Sequence, residues 1–191
     1  MTKTLLAVGC LAGVFCCYSA RAAQATGTIN ATLTLTNGCL INGDPATTNA
    51  NFGNLDFGTH AATFDTLEAT MSGAIGDGIR VRCSDGTSSY IVQITGSSNP
   101  APSNTPYGTV TANAHYMTLT TDPTQAVAYT LYNDAGFTSA IANGTNLSAA
   151  STSDLVNGEI YPIYGRIIGG GNSTNIPSGT YADVINVQVT Y

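Results

Sequence analysis

The stretch ATGTINATLTLT, from Ala25 to Thr36, alternates apolar and polar side chains along its whole length. Such alternation is typical of a β-strand, because successive side chains of a strand point to opposite faces. The polar face carries five threonines and Asn30. The apolar face consists of Ala25, Gly27, Ile29, Ala31, Leu33 and Leu35. The sequence therefore predicts an extended segment with one apolar face and one hydroxylated face.

This segment is long for a strand. Its twelve residues would span about 40 Å at about 3.3 Å per residue, whereas a typical strand has about six residues. If its front part has no partner in its own sheet, it is a free extended peptide of the kind that adds a strand to another subunit. The alternative is an ordinary first strand that closes its own sheet, and the residues alone leave both readings open.

Alternation of the same kind recurs along the chain, while the 3.6-residue period of a helix does not, so we predict an all-β domain. Asn-Gly and Asp-Gly pairs separate the candidate strands and indicate turns. Pro162 favours an edge strand or a bulge, because proline cannot donate a ladder hydrogen bond. The candidate strands are Asn54 to Gly58, Ile79 to Cys83, Tyr90 to Thr95, His115 to Thr121, Ala126 to Tyr132, Glu159 to Ile168 and Gly179 to Tyr191.

Strands at this spacing favour a sandwich of two sheets over an α/β fold. The last candidate strand has an apolar row of Tyr181, Ile185, Val187, Val189 and Tyr191 and is typical of a central strand. A sandwich that ended one strand early would expose core side chains and unpaired backbone groups, which another chain must cover. The final strand would then offer the edge to which an incoming strand adds.

The first 22 residues match an export signal. Lys3 precedes the apolar stretch Leu5 to Tyr18, and small residues at Ala20 and Ala22 offer a cleavage site. A membrane anchor is the competing interpretation, but the apolar stretch is shorter than the roughly 20 residues that span a bilayer. We therefore expect cleavage after Ala22 and no transmembrane segment in the mature chain.

Charge and cysteine usage follow from that cleavage. Without Lys3 and Arg21 the chain has three basic and eleven acidic residues, a net charge of −8, which excludes the cationic surface that nucleic acid requires. Cys39 and Cys83 remain, and in an oxidising compartment a single disulfide between them is the natural inference, with two free thiols as the alternative.

The sequence gives no support for a catalytic or metal-binding motif. His60 and His115 have no cysteine or second histidine at metal-ligand spacing. Gly169 to Gly171 lacks the lysine of a phosphate loop, and no acidic pair is singled out by spacing. Tyr161 and Tyr164 fit a sandwich core or rim better than a sugar platform. We expect no enzyme activity, no cofactor and no metal.

Six short motifs occur in an order that covers nearly the whole mature chain. They are Thr36 to Cys39, Asn54 to Gly58, Ile79 to Cys83, Tyr129 to Asp134, Pro162 to Arg166, and Pro177 to Asp183 with Val187 to Tyr191. In these residues the chain resembles the spore coat protein U domain family and, within it, the subunits of archaic, Csu-type chaperone-usher pili.

The resemblance implies an incomplete immunoglobulin-like β-sandwich that lacks its last strand, carries an N-terminal donor-strand extension and has a disulfide corresponding to Cys39 and Cys83. It implies donor-strand exchange, in which a periplasmic chaperone lends the missing strand and an outer-membrane usher replaces it with the extension of the next subunit. The donor would be Ala25, Gly27, Ile29, Ala31, Leu33 and Leu35, with Ile29, Ala31 and Leu33 as central anchors. The acceptor groove and chaperone contact would be Ile185, Val187, Val189 and Tyr191.

The expected organisation is a signal peptide at 1–22, a donor extension at 23–36 that runs into the first strand, and a pilin domain at 37–191. The expected function is that of a structural pilus subunit, exported to the periplasm and polymerised into surface fibres for adhesion and biofilm formation. One alternative is a secreted spore-coat or matrix protein of the same domain family. A carbohydrate-binding tip adhesin is disfavoured, because tip adhesins of such systems resemble two-domain proteins and this chain is too short.

Overall fold

A computed structural model describes residues 26–35, 38–45, 50–73, 78–84, 90–150, 158–170 and 172–191. The chain divides into two units, Met1–Leu35 and Thr36–Tyr191. In the first unit, residues 26–35 are exposed and form no regular secondary structure. The alternative of an ordinary first strand is therefore not observed over those residues. The predicted signal peptide, Ala25 and Thr36 lie outside the described residues.

The second unit is built from β-strands, and no helix occurs among its described residues. The strands are β1 (Cys39–Ile41), β2 (Asp44–Pro45), β3 (Thr66–Thr70), β4 (Gly78–Cys83), β5 (Ile91–Ser97), β6 (Ala114–Leu119), β7 (Asp122–Tyr132), β8 (Glu159–Pro162), β9 (Tyr164–Ile168), β10 (Tyr181–Ala182) and β11 (Ile185–Thr190). Strands such as β9 and β11 alternate more and less buried side chains, whereas the second half of β7 is buried on both faces.

These strands form three antiparallel sheets. The orders are β2-β1-β4-β8, β10-β6-β7-β9-β3 and β11-β5. Ile79, Val81, Val92, Ile94 and Leu131, which come from all three sheets, are fully buried in one core cluster. The layers thus bury their apolar faces against one another, and the prediction of an all-β, immunoglobulin-like sandwich is confirmed.

The first hairpin shows how local sequence sets the fold. Asn42 and Gly43 join β1 to β2 and both have positive φ, 51° and 92°, as a tight two-residue hairpin turn requires. The buried Asn42 side chain donates to the Phe52 carbonyl at 2.8 Å and accepts from the Arg80 amide at 2.9 Å. The turn is therefore also tied to β4 and to the segment that follows β2.

The Cys39–Cys83 disulfide is present. The two cysteines face each other directly in the β1–β4 pair, where Cys39 is opposite Cys83 and Ile41 is opposite Val81. The prediction of a disulfide between these residues is confirmed, and it fixes β1 to the middle of the four-stranded sheet.

Three sequence predictions about strands require correction. The predicted strand Glu159 to Ile168 is interrupted at Ile163, so that β8 pairs with β4 while β9 pairs with β7 and β3. Pro162 ends β8, which is the last strand of its sheet among the strands that the structure describes, in agreement with the prediction of an edge. The predicted strand Asn54 to Gly58 makes a single bridge, from Asn54 to Ser72.

The third correction concerns the end of the chain. The predicted central strand Gly179 to Tyr191 is divided into β10 and β11 by Asp183 and Val184. Within the residues that the structure describes, β11 pairs with β5 alone and so lies at a sheet edge. The chain crosses between the sheets at Asp183, which explains why one continuous strand does not form.

Candidate strand-acceptor groove

Among the described residues, the edge of β11 that faces away from β5 has no strand partner. Opposite β11, the carbonyls of Val92 and Ile94 in β5 accept from the amides of Leu147 and Gly144, at 2.8 and 2.7 Å. Val92 and Ile94 therefore direct their backbone groups away from β11. Their cross-strand partners Val189 and Val187 must then direct theirs away from β5, because facing residues of an antiparallel pair share this orientation.

The side chains of β11 are covered unequally. Ile185, Val187 and Val189 are half-buried, and the residues between them are exposed. By contrast, Val92 and Ile94, their neighbours on β5, are fully buried. The inner row of β11 thus lies against the core while part of its apolar surface remains open, which is the arrangement that an added strand would cover.

A groove of about 550 Å³ runs beside this row. The stretches 50–57 and 181–185 line it, together with Val187 and side chains from β6 and β7 such as Met117 and Tyr129. Leu55 and Phe57 reach into the fold at Gly165, where a Cβ would lie 2.7 Å from each of their side chains. The glycine therefore permits the close approach of the segment that forms part of the groove.

Asp183 anchors the crossover between β10 and β11. Its Oδ2 accepts a 2.8 Å hydrogen bond from the Tyr129 hydroxyl. Its Oδ1 accepts from the amides of Val184 at 2.8 Å and Asn99 at 3.2 Å. Asn99 in turn donates through Nδ2 to the carbonyls of Ala182 and Tyr116, at 2.8 and 2.9 Å. One carboxylate thus ties the start of β11 to β7 and to the loop after β5.

Burial sets the protonation of the groups around this carboxylate. Burial raises the pKa of Tyr129, and the charge of Asp183 and its hydrogen bond raise it further. Burial lowers the pKa of His115, although the Asp183 charge acts in the opposite direction. The His115 and Tyr129 rings lie 5.5 Å apart. Tyr129 therefore stays a hydrogen-bond donor at physiological pH, and a neutral His115 packs behind it.

The leading peptide, residues 23–36, exposes a matching apolar row in its described part, 26–35. Ile29, Leu33 and Leu35 are 96%, 80% and 83% exposed, and Gly27 and Ala31 are exposed as well. The side chain of Tyr191, after β11, is 60% exposed. The predicted donor residues thus lie in the first unit and the predicted acceptor residues in the second, except for Ala25, which lies outside the described residues.

Sequence reasoning missed Asp183 as a structural residue, although a signal existed. In the odd-numbered row from Tyr181 to Tyr191, Asp183 is the one polar side chain. A charged residue in an otherwise apolar row indicates either that the strand ends there or that the charged group is bonded to a partner inside the protein. Here both occur, since the strand ends at Asp183 and its carboxylate binds Tyr129.

A second polar cluster joins Glu159 to two tyrosines. Glu159 Oε2 accepts hydrogen bonds from the hydroxyls of Tyr90 at 2.6 Å and Tyr161 at 3.0 Å. Burial is the main cause that raises the pKa of Tyr161 to about 12. Both phenols are hydrogen-bond donors that satisfy the carboxylate.

The described residues were also compared with the requirements of a metal site and of a membrane-spanning helix. No cluster of three or more His, Cys, Asp or Glu side chains there is arranged to hold a metal ion. In the same part of the chain, no helix has the length and apolar character needed to cross a lipid bilayer.

Comparison with known proteins gives one family. The model of the Spore Coat Protein U domain matches residues 25–188. The match begins at the first residue of the alternating stretch and ends within β11, so it contains that whole stretch and most of β11. No curated protein matches the chain.

Proposed function

Because this chain belongs to the Spore Coat Protein U domain family, known from pilus and spore-coat proteins, we propose that it is a structural subunit that polymerises by donor-strand exchange. The observation that carries the proposal is the free edge of β11. Its backbone groups at Val187 and Val189 have no strand partner among the described residues, and its inner row is half-covered.

The leading peptide has the form that this edge requires. Its large apolar side chains are exposed at alternate positions, and an isolated extended peptide cannot bury them. Each large apolar side chain that enters the groove contributes on the order of 1.5 to 3 kcal/mol. Backbone hydrogen bonds to β11 would fix the register, and the alternating side chains would fill the groove.

In this proposal the leading peptide, residues 23–36, is the donor for the next copy, and residues 37–191 form the pilin domain. A periplasmic chaperone supplies the missing strand during assembly, and an outer-membrane usher exchanges it for the donor of a neighbouring subunit. The Cys39–Cys83 disulfide supports export, because disulfides persist in oxidising compartments. Residues 1–22 would direct that export, and the polymer would form surface fibres that serve adhesion and biofilm formation.

The test is expression of the full chain with and without a chaperone and usher encoded beside its gene. Subunits joined by exchanged strands should run as ladders of multimers on a denaturing gel and collapse to monomer after boiling. Co-expression with the chaperone should raise the yield of folded subunit. A full chain that is soluble, stable and monomeric with the chaperone and usher present would contradict the proposal and favour a secreted coat or matrix protein.

A further inference from the structure

A strap, residues 141–150, covers the side of β5 that faces away from β11. Ile141, at the start of the strap, is buried and donates through its amide to the Leu131 carbonyl of β7 at 2.8 Å. Ala150, at its end, donates to the Ile160 carbonyl of β8 at 2.7 Å. Between these ends, two amides of the strap donate to carbonyls of β5. The strap therefore connects three sheets and occupies the second edge of β5.

The middle of the strap is held on β5 by hydrogen bonds rather than by burial. Residues 143–146 are exposed. Gln93 of β5 donates through Nε2 to the Gly144 carbonyl at 2.9 Å and to Asn146 Oδ1 at 2.8 Å. The Gly144 amide donates to the Ile94 carbonyl at 2.7 Å, and Gly144 has a positive φ of 76°. Exposed bonds of this kind open at a low cost in free energy, so one glutamine side chain is a main fastening of the strap.

The strand beneath the strap has the composition of segments that pair with identical copies. Residues 90–95, YIVQIT, consist mostly of β-branched side chains and contain no charge, proline or glycine. Val92 and Ile94 are buried, whereas Ile91 and Thr95 are exposed. The whole chain has a net charge of −6, but two copies of this segment do not repel each other, because the segment carries no charge. An uncovered edge of this kind is a template for pairing with another chain.

The covered edge is self-complementary. The strap bonds the carbonyls of Val92 and Ile94 and bridges to Gln93 between them, so the covered edge is centred on Gln93. Two copies related by a twofold axis pair their strands antiparallel, and a pair centred there places Gln93 opposite the same residue of the other copy. The backbone groups that the strap releases at Val92 would then bond to those at Ile94 of the second copy, and the reverse.

We propose that the edge of β5 at residues 92–94 is a second self-association surface, that its partner is the same edge of another copy, and that the strap keeps it closed. Opening the strap gives a twofold dimer through β5. This dimer differs from strand exchange because the leading peptide takes no part in it, so the inference goes beyond the proposed function and does not depend on it.

A single cysteine in the full chain tests this pairing. Gln93→Cys removes the amide that fastens the strap and places a thiol at the centre of the expected pair, where facing Cα atoms lie about 4.5 Å apart. The matched control is Gln93→Ala with Thr95→Cys, which also opens the strap but places the two thiols about four residues out of register. After mild oxidation, Gln93→Cys should give a covalent dimer that survives boiling without reductant and collapses with it. The control should run as a monomer on the same gel.

Hydrogen exchange and sedimentation distinguish an opened strap from an unfolded chain. Both are measured in the Ala31→Asp background, where the proposed function predicts no strand exchange. In Gln93→Ala, the amides of Gly144 and Leu147 should exchange faster while β7 stays protected. The dissociation constant of the dimer should fall about tenfold or more, because two hydrogen bonds that close the strap are lost. Gln188→Ala removes the same side chain from the facing residue of β11 and should change neither quantity.

Equal dimer yields from Gln93→Cys and its control, or no dimer from either, would overturn the surface. Unchanged exchange of the strap amides in Gln93→Ala, or faster exchange without dimers, would overturn it as well. Absence of ladders from the wild-type chain would overturn only the proposed function, since the β5 dimer forms without the leading peptide.

Discussion

The Tyr129 hydroxyl donates a 2.8 Å hydrogen bond to Asp183 Oδ2, and this bond joins two layers of the fold. Tyr129 lies in β7 of the five-stranded sheet, and Asp183 lies where the chain leaves β10 for β11. Both residues line the groove. The carboxylate, which also accepts from the Val184 and Asn99 amides, therefore holds the start of β11, while pairing with β5 holds the rest of the strand.

The variant Tyr129→Phe removes the hydroxyl and keeps the ring. Asp183 Oδ2 then loses its donor, and a lost hydrogen bond of this kind typically lowers the free energy of unfolding by about 1 to 3 kcal/mol. Urea denaturation of the full chain measures the change. The matched control is Tyr164→Phe, since the Tyr164 ring packs at 6.3 Å against Phe137 and the same atom is removed. Equal losses in the two variants would contradict the role assigned to Asp183.

His115 should make stability depend on pH in a defined window. Burial lowers its pKa in the folded state, so the unfolded chain binds a proton at higher pH than the folded chain does. The free energy of unfolding should therefore fall as pH drops below about 6.5, the ordinary histidine pKa, and stop falling below the folded pKa.

Denaturant titrations of the wild-type chain and His115→Gln between pH 5 and 8 measure this dependence. The slope should disappear in His115→Gln and persist in His60→Gln, where an exposed histidine is replaced. The carboxylates of Asp122 and Asp134 have pKa values lowered mainly by hydrogen bonds from Thr124 and Ser139. Their contribution is lost only below the ordinary carboxylate range, so it does not overlap this window. An unchanged slope in His115→Gln would refute the assignment.

The disulfide should contribute much of the stability of the isolated chain. The bond joins cysteines with a sequence separation of 44. By restricting the unfolded chain, a cross-link of this length raises the free energy of unfolding by about 4 kcal/mol. The double variant Cys39→Ala with Cys83→Ala should lose roughly that free energy in urea denaturation. Reduction of the wild-type chain is the control and should reproduce the loss. A variant as stable as the oxidised wild-type chain would show that the cross-link is dispensable.

How far the sequence predicts this fold depends on whether a feature is local. The Asn42-Gly43 turn and the strands β4, β6 and β7 follow from turn chemistry and alternation. The break at Ile163 does not, because Pro162 indicates an edge or a bulge but not that the chain then enters a different sheet. Strand β3, Thr66–Thr70, was not predicted, since only Leu67 and Ala69 face inward in a short polar stretch.

In the candidate site, too, the sequence predicts the local features and misses those that depend on distant residues. The apolar rows of the leading peptide and of β11 can be read from alternation alone. The segment around Leu55 and Phe57 was predicted as a strand, because its apolar pattern does not reveal that it lines a groove. The bond from Tyr129 to Asp183 joins residues 54 positions apart, and no local pattern indicates such a pair.

Gly165 should tolerate no side chain. A Cβ at this position would lie 2.7 Å from Leu55 Cδ2 and 2.7 Å from Phe57 Cζ. Gly165→Ala should therefore push the segment 50–57 outward and lower the free energy of unfolding by about 1 to 3 kcal/mol, as overpacking does. Gly27→Ala is the control, because no atom lies within 4 Å of a Cβ built there. Unchanged stability of Gly165→Ala in urea would show that the segment adapts without strain.

A single charge on the leading peptide should block polymerisation only when it lies on the apolar face. Ala31→Asp places a carboxylate among Ile29 and Leu33, where entry into an apolar groove would require the charge to lose its hydration. Asn30→Asp adds the same charge one residue earlier, on the threonine face that stays in water when the apolar face is buried. Ladders on unboiled denaturing gels should disappear in Ala31→Asp and persist in Asn30→Asp, while both monomers keep the wild-type circular dichroism spectrum. Normal ladders from Ala31→Asp would mean that this face does not enter a neighbour, because no apolar groove can accept an unpaired carboxylate without a large loss of affinity.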